Sequence, residues 1–125
     1  MLEAKRIETN QEPKKIEFLG DGSYYYNYDI KAKVVTVSPM NDEDEEHEET
    51  VWSFVQVHLY GKPNYSQCVR AVIRQYVDQD EEFDLINSAQ RANYGLKTNS
   101  SSTQDYLDYL TLVDTIKSNV KADLG

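Results

Sequence analysis

Gly20-Asp-Gly-Ser-Tyr-Tyr-Tyr-Asn-Tyr-Asp-Ile-Lys-Ala-Lys-Val34 is the stretch whose reading decides the fold. Two glycines around an aspartate supply the positive-φ positions of a tight reversal. After them the even positions Tyr24, Tyr26, Tyr28, Ile30, Ala32 and Val34 are apolar or aromatic, while the odd positions Tyr25, Asn27, Asp29, Lys31 and Lys33 are mostly polar. A period of two sustained over such a run predicts a long, half-buried strand entered from a hairpin. Just upstream, Ile16 and Phe18 share one face, so residues 15–19 are expected to pair antiparallel with the tyrosine strand.

Working outward toward the C-terminal side, the apolar positions past Val34 become Val35 and Val37, a phase change that predicts a bulge or altered exposure before Ser38-Pro39 ends the strand. Seven of the eight residues from Asp42 to Glu49 are acidic, and like charges cannot pack against one another at neutral pH, so residues 40–49 are expected to form a solvated loop. Residues 50–60 resume the strand signal with bulk on both faces: Val51, Val55, Val57 and Leu59 on one, Trp52, Phe54, Gln56, His58 and Tyr60 on the other. A strand apolar on both faces is central or covered twice, which makes it the expected partner of the tyrosine strand and the anchor for the helices.

Gly61-Lys-Pro63 breaks the sheet, and Asn64 is placed to cap a helix through Tyr65, Cys68, Val69, Val72, Ile73 and Tyr76. Asp78 or Asp80 can cap a second helix with acidic residues in its first turn, Phe83, Leu85, Ile86 and Ala89 inward, and Asn93-Tyr94-Gly95 as its stop. A polar linker, Thr98 to Ser102, precedes a last helix capped by Ser102 or Thr103. Its residues Tyr106, Tyr109, Val113, Ile116 and Val120 recur at spacings of three and four, and Leu107, Leu110 and Leu112 widen the stripe beyond what one packing partner needs. Residues 1–14 have only Leu2 and Ile7 as large apolar side chains and end at Pro13, which predicts a flexible arm or at most an edge strand. The expected architecture is therefore α+β: an N-terminal three-stranded antiparallel sheet, made of a hairpin plus a third strand, followed by two or three helices packed on it. Residues 15–125 would form a single domain, with a β part at 15–60 and a helical part at 64–124.

A chain of 125 residues can bury a core without covalent staples, and its single cysteine, Cys68, allows no intrachain disulfide. With no leader-like or long apolar stretch, a cytoplasmic location and no membrane association are expected. The formal charge of −9 opposes a grip on a phosphate backbone, so nucleic acid is excluded as an expected ligand. Ten tyrosines against three phenylalanines and one tryptophan suit a half-wet sheet face, and they also suit a contact surface.

No constellation of residues encodes chemistry. Cys68 lies among apolar helix positions and reads as a small buried hydrophobe, His58 sits among aromatic residues, and His47 belongs to the acidic stretch, so no Cys–His pair is identified. The spacings of a zinc site are absent, and Asp42 to Glu46 lacks the glycine and spaced ligands of a calcium loop. Gly20-Asp-Gly22 precedes a strand and cannot act as a phosphate loop. No catalytic residue, metal or cofactor is expected.

Ile73-Arg74, Asp80-Glu-Glu-Phe-Asp-Leu-Ile86 and Tyr106-Leu-Asp-Tyr109 occur in an order that resembles small proteins of phage and prophage tail-gene regions, in particular the tail fibre or tail assembly chaperone type. The hairpin from Gly20 to Tyr28 is similar to that of small prophage proteins from gut anaerobes. Such chaperones often carry a tryptophan after the central helix, whereas the only tryptophan here is Trp52 in a strand. The resemblance implies a phage-related role without specifying which. The expected function is non-enzymatic protein binding or self-association through an aromatic sheet face or the last helix, with Tyr25, Trp52, Tyr106, Tyr109, Val113 and Ile116 as candidate contact residues. The alternatives are an acidic mimic of DNA that blocks a nucleic-acid enzyme, and a small enzyme built on His58 with nearby tyrosines.

Overall fold

A computed structural model of the chain describes residues 2–37, 46–96 and 101–125. Four strands, β1 (Ile7–Thr9), β2 (Ile16–Phe18), β3 (Ser23–Val37) and β4 (His47–Tyr60), precede three helices, α1 (Tyr65–Tyr76), α2 (Gln79–Asn93) and α3 (Ser102–Leu124). The fold is α+β. Two compact units divide the chain: a sheet unit of residues 6–62, and a helical unit of residues 63–125 together with the first five residues.

The reversal before the tyrosine strand uses its glycines as the sequence requires, with φ of 84° at Gly20 and 85° at Gly22. Between them Asp21 accepts hydrogen bonds from the backbone N–H and the hydroxyl of Ser23, a local bond typical of aspartate in turns. These bonds to Ser23 hold the exposed Asp21 carboxyl below its ordinary range. The sheet is antiparallel in the order β1-β4-β3-β2, so the two long strands are central and paired. Tyr24, Tyr26 and Tyr28 face the same side as Leu59, Val57 and Val55 across the pair, and β2 extends that face with Phe18 and Ile16. Tyr26 and Val55 are completely buried, and Tyr28, Val57 and Leu59 nearly so. Fully burying a side chain of this size stabilises by about 1.5–3 kcal/mol.

Two expectations are corrected. The sheet has four strands rather than three, because β1 joins its edge through Ile7↔Phe54, Glu8↔Ser53 and Thr9↔Trp52. Three residues are too few to carry a periodicity, so the sequence leaves this segment open between an arm and an edge strand, and the structure has the edge strand. The phase change of β3 also lies earlier than Val34. Tyr28 pairs with Val55 and Lys31 with Ser53, so β3 spends three steps where β4 spends two, and the extra residue falls at Asp29–Ile30. Asp29 has φ of 54°, a left-handed conformation that aspartate tolerates better than most residues. Ala32 and Val34 therefore stand opposite Trp52 and Thr50, on the other face from Tyr24, Tyr26 and Tyr28.

Arg6 clamps this bulge. Its Nη2 donates to the backbone carbonyls of Asp29 at 2.6 Å and Ser53 at 2.9 Å, its Nε donates to Ser53 Oγ at 2.7 Å, and its Nη1 meets Asp29 Oδ2 at 3.1 Å. A bulge breaks the hydrogen-bond ladder, and one guanidinium fork satisfies the groups that it frees. Beyond it, residues 33–37 and 47–51 pair with each other and, among the described residues, with no third strand. Residues 38–45, which hold most of the expected acidic loop, lie outside the described residues.

The helical unit follows its caps. Asn64 Oδ1 accepts from the Gln67 backbone N–H at 2.9 Å. Asp78 starts α2 with a reciprocal capping box to Glu81, and Gly95, with φ of 73°, follows its end. The cap of α3 is Ser101, one residue before the expected position, and its hydroxyl bonds Asp105 at 3.0 Å. The linker residues 97–100 lie outside the described residues. Along α3, Ser102, Tyr109, Ile116 and Val120 are buried, a stripe that packs against α1 and α2.

Candidate interaction surfaces

On the face of the sheet that carries Phe54 and Trp52, the register sets Tyr25 directly opposite His58. Their ring centroids lie 5.4 Å apart, and His58 is followed at 4.6 Å by Tyr60. The distances are those of ordinary aromatic pairs. Tyr25 is half-buried, His58 is exposed, and Tyr60 keeps 74% of its surface open to solvent. The inner end of the ladder is fixed by polar groups: Asn27 Nδ2 donates to the Lys14 carbonyl at 2.7 Å, and Gln56 Nε2 donates to Asn27 Oδ1 at 3.1 Å. Trp52, two pairs further along β4, is half-buried beside Thr9 and Ala32.

The candidate residues of α3 fall in different environments. Tyr109 and Ile116 are buried, Tyr106 and Val113 are half-buried, and Tyr106 stacks on Tyr109 with centroids 6.2 Å apart. The aliphatic side chains that α3 leaves exposed are Leu107, Leu110 and Leu124. Tyr109 is also one arm of a polar lock between the three helices. Its hydroxyl donates to Glu82 Oε2, and Arg74 Nη2 donates to Glu82 Oε1 at 3.0 Å. The bond from Arg74, reinforced by that from Tyr109, holds the Glu82 carboxyl below its ordinary range, while burial and the Glu82 carboxylate push Tyr109 up to about 12. Efficient acid–base catalysis needs groups that titrate near the working pH. These two are driven apart, into a fixed anion and a fixed donor, which is the chemistry of a structural tie.

The helical unit also contains a groove. A cavity of about 540 Å³ is lined by Leu2, Leu85, Asp105, Asp108, Thr111, Leu112 and Thr115. A second of about 260 Å³ adjoins it and shares Leu2, Leu85 and Asp105. A third, about 510 Å³, runs from Leu2 and Glu3 along the end of α1 to Glu81. His58 lines none of the three.

Cys68 has no exposed surface, and burial, with the nearby Asp123 carboxylate, pushes its thiol up to about 11. A thiol held protonated in this way is inert as a nucleophile. Among the described residues no group of three or more His, Cys, Asp or Glu side chains is arranged to hold a metal, and no helix is long and apolar enough to cross a membrane. In comparisons with known proteins, no family model, no curated protein and no solved structure matches the chain.

Sequence reasoning identified Tyr25 and the face that carries His58 and Tyr60, but the contact between them depends on strand register. Arg6, Asp29 and Ser53 gave no sequence signal, since each is an ordinary polar residue until the bulge brings them together. Leu85 and Leu112 are visible as apolar helix positions, whereas the approach of Leu2 to them is not local in sequence.

Proposed function

We propose that the protein is a non-enzymatic binding or assembly factor, of the kind encoded in phage and prophage tail-gene regions, that engages a protein partner through the aromatic ladder of its sheet. The observation that carries this reading is the row Tyr25, His58 and Tyr60, three adjacent rings of which the outermost is 74% exposed. Aromatic side chains with a polar edge are enriched at protein contact surfaces, because they bury a large area at little cost in rotamer entropy. The chain's charge of −9 argues against single-stranded nucleic acid as the stacking ligand. Acid mimicry of DNA calls for charge spread over the folded surface, yet outside Asp42–Glu49 the chain has 15 acidic against 13 basic residues. That distribution favours the protein-binding reading.

The test compares the wild-type chain with a Tyr25→Ser/His58→Ser/Tyr60→Ser variant in affinity capture from the native host and in sedimentation. A captured protein, or a self-associated species, that is lost with the variant supports the ladder. The same captured proteins and the same sedimentation from both chains would overturn it.

A further inference from the structure

The groove of the helical unit has an apolar floor and an acidic rim. Leu2, Leu85 and Leu112 form the floor, while Asp105 and Asp108 from α3 and Glu81 and Asp84 from α2 stand around it. Among the described residues no lysine or arginine lines either of the two adjoining cavities. From this geometry we propose that the groove docks a cationic amphipathic segment of a partner protein, with an apolar side chain of leucine size on the floor and flanking lysines or arginines against the carboxylates.

Four observations argue for that occupant. Among the described residues the charges lining these two cavities have one sign, so a basic segment is attracted and an acidic one repelled. The floor already accepts a leucine from an irregular segment, because Leu2, which is in neither helix nor strand, lines each of the three cavities described above. The larger cavity, about 540 Å³, has the size of sites that take several side chains or one small ligand. Asp105 and Asp108 are held in place by Ser101 at 3.0 Å and Gln104 at 2.8 Å, so the rim is positioned before any partner arrives. None of these residues belongs to the ring ladder, and the docking stands or falls independently of it.

The probe is a fluorescein-labelled synthetic peptide of lysines and leucines patterned as one amphipathic helix, titrated into the full chain and followed by anisotropy. Its control replaces each lysine with glutamate. An Asp105→Asn/Asp108→Asn variant should weaken the lysine peptide about tenfold, since each exposed ion pair contributes a factor of about 1.5–5. Thr115→Lys, which adds a positive charge to the lining at an exposed helix position, should weaken it similarly. Far-UV circular dichroism shows that both variants keep their helices. Because Asp42–Glu49 could attract a basic peptide without any groove, a third variant replaces Asp42, Glu43, Asp44, Glu45 and Glu46 by their amides, and it should bind within twofold of wild type. The proposal is overturned if affinity follows this third variant, if the first two bind like wild type, if the glutamate peptide binds as tightly as the lysine one, or if the lysine peptide does not bind.

Discussion

Replacing Arg6 by methionine should destabilise the sheet unit by about 2 kcal/mol. The side chain makes four hydrogen bonds: one to the carboxylate of Asp29, two to the carbonyls of Asp29 and Ser53, and one to the Ser53 hydroxyl. A hydrogen bond to a charged group contributes about 1.5–3 kcal/mol when desolvated, so a simple sum over the four would reach about 6–12 kcal/mol. The Arg6 and Asp29 side chains are 28% and 29% exposed, however, and water can replace part of what the guanidinium supplies. Methionine keeps the length and much of the packing of the stem, so the loss comes from the head group. Urea unfolding followed by the fluorescence of Trp52, which precedes Ser53 on β4, reads the change in the sheet unit. The companion variant Asp29→Gly loses the carboxylate but relieves the φ of 54°, a conformation costing an L-residue about 1–2 kcal/mol, and should remain within about 1 kcal/mol of wild type. If Arg6→Met lies within about 0.5 kcal/mol of wild type, or if Asp29→Gly is as damaging, the claim that the guanidinium holds the freed carbonyls of the bulge is wrong.

The helix lock predicts pH dependence at both ends of the scale. Glu82 titrates below its ordinary value in the folded chain, so its contribution is present at neutral pH and is lost as acid passes through that lowered value; Glu82→Gln should flatten the acid limb of a helix-melting profile. Tyr109 is raised from 10 to about 12, so its contribution is intact below pH 10 and disappears as pH rises through about 12. Ultraviolet titration should show a tyrosinate forming near pH 12 that Tyr109→Phe removes, at a cost of about 1–2 kcal/mol to stability. Cys68 should react with a thiol reagent at pH 8 only at the rate of unfolding, and fast labelling in native buffer would contradict its burial. Asp78→Ala, which removes the capping box of α2, should cost about 1 kcal/mol of helical-unit stability by denaturant titration at 222 nm.

The features legible in the sequence are those whose physics is local. A glycine that must take positive φ, an Asn64 or Asp78 that can reach a backbone N–H three residues on, and a β4 strand with bulk on both faces each declare themselves within a few positions. The bulge does not, because Asp29 occupies an odd, polar place in the alternation and only the pairing with β4 shows that a residue has been inserted. The candidate surfaces are half legible for the same reason. Tyr25 and the residues around His58 could be assigned to strand faces, but bringing them into one ladder requires the register. The stripe of α3 is legible in its spacing, yet spacing alone does not say that Tyr109 and Ile116 are buried while Leu107 and Leu110 remain exposed.

The make-up of the helical unit bears on the order in which the protein can assemble during synthesis. Strands β1 to β4 lie within residues 6–62, so the sheet unit is complete in the nascent chain before α1, α2 or α3 has been translated. Leu2 must instead wait for Leu85 and Leu112, so a segment made before the sheet is among the last to find its place. Closing so long a loop costs only a slowly growing entropy, but it cannot begin until most of the chain has been made. For that interval the Leu2 segment is unpartnered, a window in which a chaperone or a docking protein could compete for it.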